Sequence, residues 1–547
     1  MSSETEDMGN SHSPFPDSRE VLTTHGPIIG RRLIHEGEKL VDAFQGIPYA
    51  RPPVGELRFE KPVPPDSWTE VKDCKAFGPR SMQKTHALER RKLPPVSEDC
   101  LTLNVFSPVW QPPDEKGFAV MVFIHGGAFL SDSCCKYGDQ TLCEHVCKKD
   151  IVMVTLQYRL GYLGMLSTGD VLCKGNQNLW DQTLALTWVK DNISRFGGNP
   201  ENVTIMGQSA GGASVDLLSL SPHSRDLFHK VIPMAGNASC DFAVNYNVVE
   251  TCRIAAESFG VTCCQDSQKF LDMLRKLPAE TFACAMEQSG PDNPIKLGPR
   301  IEGDFLPKHP DELRKQSPPK PRLYGLCRSE GLIFANNKKA TRETHIDEVA
   351  ARLFPEKDFP NDFGRLRREY AAKVRELIVD GEKETIAYAA CQASGDSFLG
   401  IGTQKAVLES LETGYEPVYL YRFDYFNPKA YGGMASFVTP YKDASHCGDI
   451  SYFVCEAIGL PFTFDELDMK MVDLWTTLFT NFAKYGNPNG EATSPLGAEE
   501  WLPATISDPQ RHLQISLEPK MSSNFFEGRP MWYIQQMRQF GKKENSD

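Results

Sequence analysis

The segment VTIMGQSAGGASV (203–215) reads as a strand, a tight turn and the opening of a helix. Val203, Thr204, Ile205 and Met206 form a short, largely apolar run that suits a strand covered on both faces. Gly207, Gln208, Ser209, Ala210 and Gly211 then fit the pattern G-x-S-x-G. Between a strand and a helix, that pentapeptide builds a nucleophile elbow. The turn holds Ser209 in a strained backbone conformation, and Gly207 and Gly211 let neighbouring segments approach without a Cβ clash. The helix that follows offers backbone N–H groups and a positive dipole end to a developing oxyanion. By composition alone the pentapeptide would arise about 0.2 times in a chain of this length, so the flanking strand and helix carry the inference.

A serine is a poor nucleophile without a base, and the base needs an acid to orient it. The oxyanion needs further N–H donors. Upstream, the apolar run AVMVFI (119–124) leads straight into His125-Gly126-Gly127-Ala128-Phe129. This matches the glycine-rich loop that supplies the second half of an oxyanion hole beside such an elbow. The expected donors are the N–H groups of Gly127, Ala128 and Ala210.

Other short apolar runs are IVMVTLQY (151–158), KVIPMAG (230–236) and VYLYRF (418–423). Helix-like stretches lie between them: DQTLALTWVKDNISRF (181–196) ends near Gly197-Gly198, and SQKFLDMLRKLPAETF (267–282) is closed by Pro278. Strands alternating with helices imply an α/β fold, a mostly parallel central sheet flanked by helices. Neither an internal repeat nor a low-complexity linker divides the chain, so one large domain is expected over residues 21–540. Residues 1–20 read as a disordered tail and residues 541–547 as a short polar one.

Composition excludes several classes. Of 547 residues, 40% are apolar and 24% charged, which is ordinary globular usage. Fifty-nine basic residues against 72 acidic ones give a net charge of −13, with no basic footprint for nucleic acid. The apolar run Phe118 to Ile124 falls far short of the ~20 residues of a membrane helix. The first residues, MSSETEDMGNSHSPFPDSRE, carry no apolar core of a signal peptide, so the chain as written is expected in the cytoplasm. An incomplete start would leave a secretory or organelle lumen open. The 16 cysteines show no zinc spacing and read as free thiols on cytosolic logic. Asn192, Asn202 and Asn237 head glycosylation sequons that are expected to stay unused. Nothing in the sequence fixes an oligomeric state.

From Val21 to about Phe540 the chain resembles the type-B carboxylesterases, the cholinesterase/carboxylesterase-like branch of the α/β-hydrolases. FQGIPYARPPVGELRF (44–59), SEDCLTLNVFSP (97–108), FIHGGAF (123–129), YRLGYLG (158–164), NLWDQTLALTWVKDNISRFGGNPENVTIMGQSAGGASV (178–215) and GLCRSEGLIF (325–334) carry the resemblance. It implies that Glu330 is the acid and that His446, in DASHCGD (443–449), is the base. Their chain order, serine, acid, histidine, is the one this fold uses. It also implies two disulfides, Cys74 with Cys100 and Cys252 with Cys263 or Cys264, and a structural ion pair of Arg51 with Glu98. The chain departs from the pattern in places. Gln208 stands where cholinesterases have glutamate, and QKTHALERRKLPPV (83–96) lacks their choline-binding tryptophan, so choline esters are not the expected substrates. Ala235 replaces a serine often found near the catalytic histidine.

The expected chemistry is hydrolysis of a small-molecule or lipid-like carboxylic ester through an acyl-enzyme, with no metal or organic cofactor. An acyltransferase would use the same three residues with an alcohol or amine acceptor. A non-catalytic binding protein on the same fold is the third reading, and the intact Ser209, Glu330 and His446 count against it.

Overall fold

The computed structural model describes residues 15–84, 93–262, 266–284, 297–335, 337–429, 439–458, 462–491, 494–497 and 499–542. Twelve strands run across one sheet: β1 (Asp17–Leu22), β2 (Pro27–Ile34), β3 (Val41–Pro48), β4 (Thr102–Pro108), β5 (Phe118–Ile124), β6 (Ile151–Leu156), β7 (Gly198–Gln208), β8 (Lys230–Met234), β9 (Arg322–Cys327), β10 (Val418–Phe423), β11 (His512–Ile515) and β12 (Lys520–Ser522). Their order is β1-β2-β3-β4-β6-β5-β7-β8-β9-β10-β11-β12, and the short strand Lys72–Asp73 pairs with β2 as a thirteenth. From β6 to β11 every neighbouring pair is parallel. The numbered strands beyond β6 on one side and β12 on the other pair antiparallel, while Lys72–Asp73 pairs with β2 in parallel. This is the α/β architecture expected from the sequence.

The central strands are apolar throughout because both faces are covered. In β5, Val120, Val122 and Ile124 enter one apolar cluster while Met121 and Phe123 enter the other. The first cluster is closed by α1 (Gln177–Asn192) through Leu186 and Val189, and by α2 (Ala210–Leu220) through Leu217 and Leu218. The second is closed by α7 (Glu466–Tyr485) through Trp475, Phe479 and Phe482. Each such side chain, fully removed from water, contributes roughly 1.5–3 kcal/mol. Four more helices complete the frame around the site: α3 (Thr344–Leu353), α4 (Lys383–Gly395), α5 (Ile401–Glu412) and α6 (Gly448–Val454).

Within α2, buried Asp216 accepts bonds from the guanidinium groups of Arg314 (2.9 Å) and Arg322 (2.6 Å) and from the Ala238 N–H (2.9 Å). Burial opposes the Asp216 charge, but the two arginines outweigh it and hold the carboxyl well below the usual carboxylate range. The helix that begins beside Ser209 is therefore pinned to the end of β8 and to β9.

Folded structure begins earlier than the expected boundary after residue 20. Strand β1 starts at Asp17, and Arg19 is tied to buried Asp42 (2.8 Å) and to Ser107 (2.7 Å). Asn192 and Asn237 are buried with their side-chain amides bonded to Trp188 O and Thr403 Oγ1, so neither sequon presents an accessible acceptor in the folded chain. No helix among the described residues is long and apolar enough to cross a membrane.

Candidate active site

Strands β5 and β7 are parallel neighbours, with Gly207 paired to Ile124, so their C-terminal ends emerge side by side. Ser209 follows β7 at φ 60°, ψ −124°, outside the ordinary regions for a residue with a side chain. Such a conformation costs about 1–3 kcal/mol and persists only where its surroundings over-determine it. Here they do: the Ser209 N–H donates to Met234 O (2.8 Å) and its carbonyl accepts from Ala213 N (2.9 Å). A Cβ on Gly211 would lie 2.1 Å from Ile124 O, and one on Gly207 would lie 2.5 Å from the Gly211 backbone. Both positions of the elbow must therefore be glycine for β5 and α2 to meet there.

The loop after β5 runs through Gly127 (φ 89°), Ala128 (φ 58°) and Phe129 (φ 61°), three successive residues in the left-handed region. It is held by Leu130 N and Ser131 N donating to Gly127 O (2.9 and 3.0 Å), and by Gly161 N donating to Phe129 O (2.8 Å). The Tyr158 hydroxyl donates to His125 O (2.7 Å), and the two rings stack at 4.4 Å. The loop packs on the serine, since a Cβ on Gly126 would lie 3.1 Å from Ser209 Cβ. Among the described residues the N–H groups of Gly127, Ala128 and Ala210 have no intramolecular acceptor. A helix leaves its first N–H groups unspent in this way, which is what an oxyanion site requires.

The other half of the site hangs from β9. Glu330, 2% exposed, follows that strand in a short 3-10 turn, Glu330–Phe334. Its Oε1 accepts from Cys327 N (2.6 Å) and its Oε2 lies 2.6 Å from His446 Nδ1. In the neutral ring that contact directs the Nδ1 proton at the carboxylate and leaves Nε2 with its lone pair. Burial disfavours a charged His446 ring, but neighbouring Cys447 and the Glu330 carboxylate outweigh it and raise the pKa well above the ordinary imidazole value. Asp449 is pushed up to about 6, by burial first and the Glu330 charge second, with the Tyr421 hydroxyl (2.6 Å) partly offsetting both. His446 Nε2 lies 3.1 Å from the Gln208 side-chain nitrogen, and no hydrogen bond joins it to Ser209 Oγ among the described residues.

A family model described as the carboxylesterase family matches residues 17–532. This chain belongs to the carboxylesterase family. It is 41% identical to esterase cest-33 of Caenorhabditis elegans, over 94% of each chain. It is 32% identical to the medium-chain fatty acyl-CoA hydrolase precursor of Anas platyrhynchos, covering 94% of this chain and 92% of that one. A human cocaine esterase is also 32% identical, over 91% and 88%. The fold is the α/β-hydrolase fold in a single domain, and the activity class is serine carboxylic-ester hydrolysis.

Seen in this carboxylesterase, some expectations need correcting. The partner of Glu98 is Arg58, not Arg51: Arg58 Nε and Nη2 lie 2.7 and 2.5 Å from the two carboxylate oxygens. Arg58 also donates to Arg275 O and Leu277 O and is nearly buried, whereas Arg51 is half exposed and only approaches Asp66 at 3.7 Å. Cys74, Cys100 and Cys252 are free, buried thiols here rather than disulfide halves. Burial pushes each of them up to about 12, so they are neutral hydrophobes in their clusters. Cys263 and Cys264 lie outside the described residues. Ala235 (φ 45°) donates its N–H to Gly325 O (2.9 Å), and its methyl group gives His446 no hydrogen bond.

Sequence reasoning missed several supporting residues. Asp443 accepts from the Arg328 guanidinium (2.8 Å), the Ser329 hydroxyl (2.6 Å) and Ala444 N (2.8 Å), which binds the histidine loop to the acid loop. A π-helical turn, Asp396–Gly400, joins α4 to α5 and sets Phe398 edge-on to His446, with ring centroids 6.2 Å apart. Phe398 packs in turn on Phe242 and Phe334. No local pattern announces either feature.

A second serine, histidine and glutamate also come together. His345 Nε2 lies 2.9 Å from Ser394 Oγ, and His345 Nδ1 lies 3.0 Å from Glu348 Oε2. Ser394 sits inside α4, buried, with its hydroxyl 3.3 Å from Ala390 O. A serine inside a helix, whose neighbouring N–H groups are spent on the helix, lacks the donors an oxyanion needs, and the contacts of this cluster tie α3 to α4.

Proposed function

We propose that Ser209, Glu330 and His446 act as nucleophile, acid and base in this esterase. The observation that carries the reading is the 2.6 Å contact of His446 Nδ1 with Glu330 Oε2, which leaves Nε2 basic beside the strained elbow at Ser209. Ser209 Oγ attacks the ester carbonyl while His446 Nε2 takes its proton. The Glu330 carboxylate keeps the imidazole in the right tautomer and stabilises its charged form. The N–H groups of Gly127, Ala128 and Ala210 receive the oxyanion, each worth about 3 kcal/mol. His446 then passes the proton to the leaving alcohol, and the alkoxy C–O bond breaks to give the acyl-enzyme. A water deprotonated by His446 releases the acid and regenerates Ser209.

Among the described residues an aromatic cluster stands beside His446. Half-buried Phe398, backed by Phe242 and Phe334, flanks His446, and Gln208 adds no charge. These surroundings favour an uncharged, lipid-like ester over a cationic one. Hydrolysis of p-nitrophenyl esters of increasing acyl length, wild type beside Ser209→Ala, tests the reading. Turnover only in the wild type supports it, and wild-type turnover by Ser209→Ala refutes it.

A further inference from the structure

Gln208 is the last residue of β7, 1% exposed, and its position is fixed by pairing with Met234 of β8. Its carboxamide lies between the two halves of the site. Its backbone carbonyl and side-chain oxygen pack against Gly126, where an added Cβ would meet them at 2.5 and 3.2 Å. Its side-chain nitrogen lies 3.1 Å from His446 Nε2. With the Nδ1 proton committed to Glu330, Nε2 carries a lone pair, and the amide N–H is the donor that matches it.

We infer that Gln208 is a positioning residue of the reaction: its amide N–H holds the neutral His446 ring in place, and its lack of charge sets the pH at which the base becomes available. The inference rests on His446 being the base, as proposed above. The contact has a direction. In the orientation it has here it favours the neutral ring, because an imidazolium would set Nε2–H against the amide N–H, and the carboxamide would have to turn over to offer its oxygen instead. Glu330 pulls the opposite way and favours the charged ring, as do the other groups facing it, Cys447 and the Asp449 carboxylate. Gln208 thus offsets part of that pull. Nε2 has one lone pair, so the amide contact gives way to the Ser209 hydroxyl before the proton is transferred, and the charged ring that results finds no acceptor in the amide N–H and is biased to hand the proton on to the leaving oxygen. A carboxylate at this position would reverse the sign, accept from Nε2–H and keep the proton on the base.

The test is the pH dependence of kcat/KM for a p-nitrophenyl ester in wild type, Gln208→Glu and Gln208→Leu, each normalised to active sites titrated with a phosphonate. Gln208→Glu is expected to move the acid limb up by at least about one pH unit, which is about tenfold less kcat/KM below the limb. Gln208→Leu removes the donor without adding a charge and is expected to lower kcat about three- to tenfold with KM within about twofold, and to move the acid limb up by less than Gln208→Glu does; an unchanged kcat overturns the positioning role. A Gln208→Glu limb within about 0.3 pH unit of wild type, at normal active-site titre, overturns the inference. Failure of the underlying reading looks different: His446→Ala would then keep wild-type turnover whatever Gln208 does.

Discussion

Ser329 and Ser445 pair across a parallel β-bridge, so the residues immediately before Glu330 and His446 are backbone neighbours although they lie far apart in the chain. Ser329 N donates to Ala444 O (2.8 Å), and Asp443 closes the arrangement by accepting from Arg328 and Ser329. The 2.6 Å contact between acid and base is thus fixed by main chain as much as by side chains. Asp443→Asn removes the charge paired with Arg328 and is expected to lower kcat about tenfold and the thermal midpoint by several degrees. Kinetics and calorimetry on one preparation read both.

Glu330→Gln keeps the shape of the acid and removes its charge. The amide can stabilise the wrong tautomer, with the proton on Nε2 facing Ser209. A fall in kcat of about 10³- to 10⁴-fold is expected, with folding retained. Single-turnover acylation would show the loss in the first chemical step.

The acid limb of kcat/KM reports the pKa of the base in the free enzyme. Burial lowers that pKa, but Cys447 and Glu330 outweigh it, so the limb is expected above the ordinary value of 6.5. Only the neutral ring can take the serine proton, so activity rises with pH through this value. Asp449→Asn removes a nearby negative charge and is expected to move the limb down. A profile from pH 5 to 10 in both proteins decides the sign.

Gly211→Ala places a methyl group 2.1 Å from a backbone oxygen at the end of β5. Neither partner is a flexible side chain, so β5 and α2 must separate. A loss of more than about 3 kcal/mol is expected from denaturant midpoints, together with abolished phosphonate labelling.

Ser394→Ala is the control for the second serine–histidine–glutamate cluster. It removes a bond between α3 and α4 and is expected to cost about 1 kcal/mol of stability. Ester turnover is expected to match wild type.

Much of this was legible in the chain, and the exceptions have physical reasons. Val120, Val122 and Ile124 face one layer while Met121 and Phe123 face the other, which is why AVMVFI carries no polar alternation. The elbow was readable because its glycines, its serine and the helix start are all local. Arg51 and Arg58 could not be told apart, because the choice depends on which way the chain leaves the 3-10 turn Gly55–Leu57. The Gln208 contact to His446 spans 238 residues and depends on two loop endings meeting. The start of β1 at Asp17 was hidden because Arg19 looks like a tail residue until Asp42 is opposite it.

The pairing of β5 with β7 has a mechanical consequence. Ser209 and the loop through Gly127 and Ala128 leave two hydrogen-bonded strands at the same edge, so strand pairing sets their relative position. Glu330 and His446 sit instead on two loops, joined to each other by the Ser329–Ser445 bridge and Asp443 and to the frame by single bonds such as Gln392 to Arg328 O (2.8 Å) and Trp475 to Asp449 O (3.0 Å). The protein is thus built with an anvil of paired strands and a hammer carried on loops. Gradual heating should silence turnover while the anvil still stands, well before the sheet itself lets go.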